Sequence, residues 1–328
     1  MVDYKRFVET AHLVNSYLPP LKMVKYPDKN ETEFSSKLFE IADILDNSSG
    51  KGIQCTTNRE MVRIGKPSLT LVHPGSGEIH YMAVPEQNEI EPFIDVIINR
   101  IQNKSSLSPD LIRSLSQISK PAHIAVNITS SCPHCQHAVR AANSLALQCE
   151  KISVSIYDIE QFPENAEKYS IKSVPLTVID HRHIINNTVS EKVLAQYILD
   201  RGTEENERTV FLSQINTGNI DLTLKSIVDK AQNLKQFIYA WKNSTLSLRM
   251  GLFLLAEKVI DHDRELFYII IADLIDILSS QDIALRGDTV DLLSQIGHKD
   301  AIEPIKKLLN DPNPDIVELA KDALEELN

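Results

Sequence analysis

Between Ala122 and Ile128 apolar side chains fall on every second residue. Four positions after Ile128, the motif Cys132-Pro133-His134-Cys135 opens a run with helical spacing that lasts to Cys149. Period two followed by period 3.6 predicts a strand, a cysteine pair and a helix in direct succession. Pro133 suits the first helical turn, where its missing N–H would be unpaired anyway. That puts Cys132 at the helix N-terminus, where free N–H groups and the helix dipole favour its thiolate. The dipole alone contributes about 0.3–1 kcal/mol, so a larger effect requires direct N–H···S bonds or a charged neighbour such as protonated His134. Cys135, one turn further in, is expected to be the more buried, resolving thiol. In this reading Cys132 attacks a disulfide and Cys135 releases the product; the reverse direction oxidises thiols.

Zinc is the alternative for a cysteine pair. A structural site usually takes four ligands, and no second Cys-x-x-Cys or His-x-x-x-His stands at the usual spacing. A pair between a strand and a long helix favours redox chemistry. The chain has four cysteines, too few for a secreted disulfide scaffold of 328 residues. Cys55 and Cys149 read as core residues, as does the single tryptophan, Trp241, between helices.

The segment around the motif reads as helix (Leu111 to Ile118), strand (Ala122 to Ile128), helix (Pro133 to Cys149), strand (Lys151 to Asp158), short helix (Glu164 to Tyr169), hairpin (Leu176 to Ile179, His183 to Ile185) and helix (Glu191 to Arg201). Strands with helical crossovers followed by a hairpin indicate a mixed sheet. The preceding block has a similar order. A helix halted by Pro19-Pro20 leads to a strand (Leu21 to Tyr26), a helix (Phe34 to Leu45) and a strand (Gly50 to Thr56). A hairpin through Pro74-Gly75-Ser76-Gly77 and a helix (Ile90 to Ile101) follow. Gly202 to Arg208 is polar and reads as a linker. Beyond Val210 the pattern is helical, and Leu285, Leu293 and Ile296 recur as Ile316, Leu324 and Leu327, and earlier as Leu248, Ala256 and Val259. Such periods with helix pairs indicate a solenoid.

A net charge of -11 argues against non-specific nucleic-acid binding and against an anionic membrane surface. The longest apolar stretch, Phe267 to Leu278, is interrupted by Asp273 and Asp276 and is too short to span a bilayer. With no apolar leader after Met1, a cytoplasmic location is expected. No Gly-x-Gly-x-x-Gly follows a strand, so the chain is expected to bind no dinucleotide, cofactor or metal and to receive electrons from another protein.

Residues Ala122 to Arg201 resemble the thioredoxin superfamily in motif and order. The resemblance places Val174-Pro175, within Ser173-Val174-Pro175-Leu176-Thr177-Val178, where the family has a cis-proline facing the disulfide. It implies a cis bond there and gives Val174 the backbone that pairs with an extended substrate. The first block is similar to the N-terminal copy of tandem protein disulfide oxidoreductases, and of the N-terminal domain of the flavoprotein component of alkyl hydroperoxide reductase. Lys66-Pro67-Ser68-Leu69-Thr70-Leu71 repeats the cis-proline signature. The cysteine position near Asp28 to Glu31 holds no cysteine, which implies a redox-inactive copy. The family's buried Asp, six residues before the first cysteine, is replaced by Val126. Asn127 points to the other face, so His134, Glu150 or water would have to serve instead. In the family the Pro133-His134 dipeptide tunes the reduction potential. The last third resembles HEAT-like repeats, which bind proteins.

The expected architecture is therefore α/β. A redox-inactive thioredoxin-like domain (1–106) and an active one (107–202) precede an all-α HEAT-like domain (203–328). The expected activity is thiol–disulfide oxidoreduction on protein thiols and disulfides, within cell redox homeostasis. The repeats would recruit a protein partner. The alternatives are a redox-responsive interaction scaffold and an electron carrier from a flavoprotein reductase to a peroxidase such as a peroxiredoxin.

Overall fold

The computed structural model describes residues 2–15, 17–28, 32–59 and 66–327. The chain divides into two compact units, Met1–Asn206 and Glu207–Asn328.

In the first unit eight strands form one sheet, in the order β2-β1-β3-β4-β6-β5-β7-β8. They are β1 (Leu21–Tyr26), β2 (Ile53–Thr57), β3 (Ser68–Val72), β4 (Ile79–Met82), β5 (Ala122–Ile128), β6 (Ile152–Asp158), β7 (Leu176–Ile179) and β8 (His183–Asn186). Each consecutive quartet has the same connectivity: two parallel strands, then an antiparallel hairpin beside the first. The two copies are joined where β4 pairs in parallel with β6, Ile79 opposite Val154 and Tyr81 opposite Ile156. The duplication expected from the sequence thus becomes one continuous sheet.

The helices of this unit are α1 (Tyr4–Leu13), α2 (Glu33–Ser48), α3 (Ile90–Ile101), α4 (Pro109–Leu115), α5 (Cys135–Gln148), α6 (Pro163–Lys168) and α7 (Glu191–Leu199). α3 packs on α5, and α5 on α7. The period-two pattern of β5 predicts one buried face, yet Ala125 and Asn127 are buried as fully as Ile124 and Val126. A strand in the middle of a layered sheet is covered on both faces, which period alone does not reveal.

Strand directions bring the carboxyl ends of β1, β4, β5 and β6 and the amino ends of β3 and β7 to one end of the sheet. The cysteine motif follows β5 there, and Val174-Pro175 precedes β7. Val174–Pro175 is cis, as is Leu18–Pro19, which no sequence pattern singles out. Lys66–Pro67 is not among the cis bonds of the described residues, which corrects the expected repeat of the signature. The trans form is the default, favoured by about 0.5–1 kcal/mol at X–Pro bonds.

The segment read as a linker is instead helical. Glu204 to Arg208 forms the first turns of α8 (Glu204–Asn216). Thr203 Oγ1 accepts the Asn206 N–H at 3.2 Å, and Asn206 Nδ2 donates to the Tyr197 carbonyl at 3.2 Å. Two acids in the first turn suit the helix dipole, so the charge run that suggested solvated chain stabilises a helix start.

The second unit continues with α9 (Ile220–Asp229), α10 (Leu234–Lys242), α11 (Leu246–Asp263), α12 (Ile271–Ile277), α13 (Ile283–Ile296), α14 (Ile302–Lys307) and α15 (Pro314–Leu327). Trp241 is fully buried against Phe237 and Phe253, and its Nε1 donates to Thr289 Oγ1 at 2.9 Å. Phe267 and Ile270 are buried, but on a 3-10 turn (Arg264–Ile270) rather than on an α-helix, while Tyr268 and Ile269 are exposed. Arg249 and Arg286, 37 positions apart, repeat one arrangement. Each donates back to a carbonyl before its own helix, Ser244 at 3.3 Å and Ser280 at 2.6 Å. Each also pairs with an acid, Asp288 at 2.8 Å and Asp311 at 3.2 Å.

Candidate active site

After Ile128 the chain turns, with the Cys132 N–H donating to the Thr129 carbonyl at 3.1 Å. Cys132 and Cys135 are joined by a disulfide, their Cα atoms 5.5 Å apart. Regular α5 begins at Cys135, two residues later than Pro133, with His134 as its N-terminal boundary residue. The Cys135 N–H donates to Cys132 Sγ at 3.2 Å, tying the turn ahead of the helix to its first residue. In the oxidised pair this N–H thus already points at the outer sulfur.

The sulfurs differ in access. Cys132 is 9% exposed and Cys135 0%. Cys132 Sγ lies 3.9 Å from the Val174 carbonyl oxygen, so the proline-framed edge borders the outer sulfur. Val174 is half-buried and Pro175 buried, whereas Pro133 and His134 are exposed beside the pair. Among the described residues no hydrogen bond joins the His134 ring to either sulfur.

The two side-chain candidates for the missing buried acid do not fill its place. Glu150 lies beyond the far end of α5, a 14-residue helix about 21 Å long at 1.5 Å per residue, and His134 is exposed. Val126 is fully buried, and Asn127 is engaged elsewhere. Its Nδ2 donates to the Leu176 carbonyl at 3.1 Å, and its Oδ1 accepts from Asn165 at 3.3 Å.

A different acid stands at this end of the sheet. Glu89 closes the 3-10 turn between β4 and α3, a turn that packs against α5. It is 1% exposed, and neither carboxylate oxygen has a hydrogen-bond partner. Burial pushes its pKa up to about 7, against the pull of Arg140. Sequence reasoning missed it, though a signal existed. Glu89, Phe93, Ile97 and Ile101 fall four apart, so one carboxylate extends an otherwise apolar helix face.

In the first copy the corresponding helix, α2, begins with Thr32 and Ser35 at the spacing of the cysteines. Thr32 Oγ1 accepts the Ser35 N–H at 3.1 Å, and Ser35 Oγ accepts the Thr32 N–H at 2.9 Å. This is a capping box, with Thr32 the N-cap and Ser35 the third helical residue. Of the expected location, Asp28 to Glu31, only Asp28 lies within the described residues. The remaining cysteines stand apart from the pair. Cys55 is half-buried on the edge strand β2, its thiol pushed up to about 11 by burial, and Cys149 Sγ lies 3.8 Å from the Leu115 carbonyl oxygen. Both read as core residues in the sequence and are only partly covered. Among the described residues no group of three or more His, Cys, Asp or Glu could hold a metal ion, and no helix is long and apolar enough to cross a membrane.

Residues 122–199 match the family model of the thioredoxin domain. A protein disulfide oxidoreductase from Aeropyrum pernix is similar in structure, with a TM-score of 0.52 and 18% identity over 61% of this chain and 94% of that one. The alkylhydroperoxide reductase AhpF from Enterococcus faecalis is similar over 60% of this chain and 99% of that one, with a TM-score of 0.51 and 18% identity. The N-terminal domain of AhpF, as a separate structure, aligns over its full length with the same score. No curated protein matches the sequence. The chain thus carries a thioredoxin domain over residues 122–199, the second of two thioredoxin-like folds that share one sheet, followed by an all-helical region.

Proposed function

We propose that the chain is a thiol–disulfide oxidoreductase acting on protein substrates, with Cys132 the attacking thiol and Cys135 the resolving one. The observation that carries this reading is the asymmetry of the pair. Cys132 keeps 9% exposure, receives the Cys135 N–H and borders the Val174 edge, while Cys135 has none. In the reducing direction the Cys132 thiolate attacks a substrate disulfide and expels one substrate thiolate. The Cys135 thiolate then attacks the mixed disulfide at Cys132 Sγ, releases the second substrate thiolate and leaves the Cys132–Cys135 disulfide. Two electrons pass to the substrate, and an external dithiol or reductase restores the pair. Val174 presents its backbone to the extended substrate beside Pro175, and the exposed Pro133-His134 dipeptide modulates the potential. Glu89, unpartnered and poised near neutrality beneath α5, supports a role as the proton store that Val126 cannot supply.

Within this reading the first copy (1–106) is redox-inactive, 107–202 carries the chemistry, and the all-helical region (203–328) is HEAT-like and recruits a protein. The repeated Arg249 and Arg286 arrangement supports the repeat. Leu246, Met250 and Leu254, exposed at four-residue spacing on α11, favour a second reading in which the region is a scaffold whose binding follows the state of the pair. The fold likeness to AhpF supports a third, with electrons arriving from a flavoprotein and leaving to a peroxiredoxin. Catalysed reduction of insulin by dithiothreitol, abolished in Cys132→Ser, is the expected result. A disulfide that cycles without turnover would favour the scaffold.

A further inference from the structure

Away from the cysteine pair, imidazoles gather around Ser155. His80 pairs with Ser155 across β4 and β6, and His123, near the start of β5, holds Ser155 Oγ through its Nε2 at 2.9 Å. The His123 ring stacks on that of His181 in the β7–β8 turn, with centroids 5.0 Å apart. His181 Nδ1 in turn meets the Tyr169 hydroxyl at 3.2 Å. Tyr169 is nearly fully buried at the end of α6. Five residues later comes Val174, so Ser170 to Val174 is suspended between the Tyr169 anchor and β7. The backbone on both sides of this clasp is held in the left-handed region, at Ser170 (φ 48°), Asp180 (φ 50°) and His181 (φ 60°). Such conformations persist in residues other than glycine only when surrounding contacts enforce them. The Asp180 N–H donating to the His123 carbonyl at 2.8 Å, and the Asp180 carboxylate accepting from the His123 N–H at 2.8 Å, are part of that enforcement.

We infer that His123 and His181 form an imidazole latch that positions the Val174 segment and opens when the rings take up protons. Two stacked imidazolium ions would repel, and their surroundings add positive charge. His80 faces His123 from β4, and Lys168 on α6 lies 4.8 Å over the Tyr169 ring. Asp180 opposes this, but it is already paired with Arg201 at 2.8 Å, while Glu78 stands 3.5 Å from His80 rather than at the stack. Burial, then His181 and His80, push His123 down to about 4; burial and Lys168 lower His181. The closed form is therefore fully favoured above about pH 6.5 and loses ground as pH falls toward about 4, because the open form binds protons the closed form refuses. His183 on β8, buried against Tyr197 of α7 and likewise lowered to about 4, weakens the same hairpin in acid, so the test must separate it. The consequence for docking at Val174 rests on the oxidoreductase reading; the latch itself does not.

Hydrogen exchange of the full chain, read by mass spectrometry at pH 7.5 and 4.5 and corrected for intrinsic rates, tests this. In the native protein, protection across 169–182 should fall by roughly ten- to a hundred-fold at the lower pH, while α3 keeps its protection. His123→Phe retains a ring that stacks, leaves the His181–Tyr169 link in place and removes the imidazole lowered to about 4, and should lose less protection at pH 4.5 than the native protein. Tyr169→Phe cuts the link without removing the packing, and should loosen Ser170 to Val174 already at pH 7.5. Unchanged protection in the native protein at pH 4.5 would overturn the latch, as would a loss shared equally by α3 or by His123→Phe. Absent disulfide turnover with the expected exchange pattern would count against the oxidoreductase reading and leave the latch standing.

Discussion

The Cys135 N–H meets Cys132 Sγ across 3.2 Å, and in the first copy the Ser35 N–H meets Thr32 Oγ1 across 3.1 Å. Each bond joins residues three apart at a helix start, one to sulfur and one to oxygen, and only the sulfur pair can form a disulfide.

This equivalence predicts how the outer cysteine can be replaced. In the reduced protein, Cys132→Ser keeps an acceptor for the Cys135 N–H, as Thr32 does for Ser35, and should leave stability nearly unchanged. Cys132→Ala removes it and should cost about 0.5–2 kcal/mol more. Urea unfolding followed by circular dichroism separates the two; equal stability would show that the bond from the Cys135 N–H to Cys132 does not stabilise the helix start.

Glu89 predicts an unusual pH dependence. Its folded pKa of about 7 lies above the ordinary 4.5, so between those values the folded chain holds a proton that the unfolded chain has lost. This contribution is fully present below about pH 4.5 and declines as pH rises through about 7, by roughly 3 kcal/mol at most. Glu89→Gln should flatten that slope and stabilise the protein above pH 7. It should also move the pH profile of turnover if the carboxyl serves the resolving thiol. Chemical unfolding between pH 5 and 8 in both proteins checks the first point; an unchanged slope in the variant would show that Glu89 is not the source.

In the helical unit Arg286 and Asp311 form a buried pair, their side chains 10% and 8% exposed. Removing the cation alone, Arg286→Leu, strands the carboxylate and should cost about 3–5 kcal/mol, whereas adding Asp311→Leu should recover much of that loss. Trp241 lies in this unit and is the chain's one tryptophan, so its fluorescence in urea reports on the region directly. Equal destabilisation in the single and double variants would contradict a buried-charge origin.

Strands, helix order and the Cys132-Pro133-His134-Cys135 motif are legible in the sequence because each rests on local pattern. Ala122 to Ile128, Leu21 to Tyr26 and Ile90 to Ile101 fall where their periodicity places them. What cannot be read depends on contacts distant in sequence. The junction of β4 with β6 merges the copies into one sheet, and neither strand advertises its partner. Asn206 reads as solvated chain, yet its bond to Tyr197 buries it. Glu150 attracts attention by nearness in sequence and Glu89 escapes it by distance, although the first lies beyond the far end of α5, a helix about 21 Å long, and the turn holding the second packs against that helix.

The division of labour between the two thiols is tested most directly by trapping. Cys135→Ser, incubated with a disulfide-bearing protein and analysed by mass spectrometry, should accumulate a mixed disulfide on Cys132, whereas Cys132→Ser should accumulate none. An adduct carried by Cys135 in the second variant, or no adduct in the first, would contradict the account.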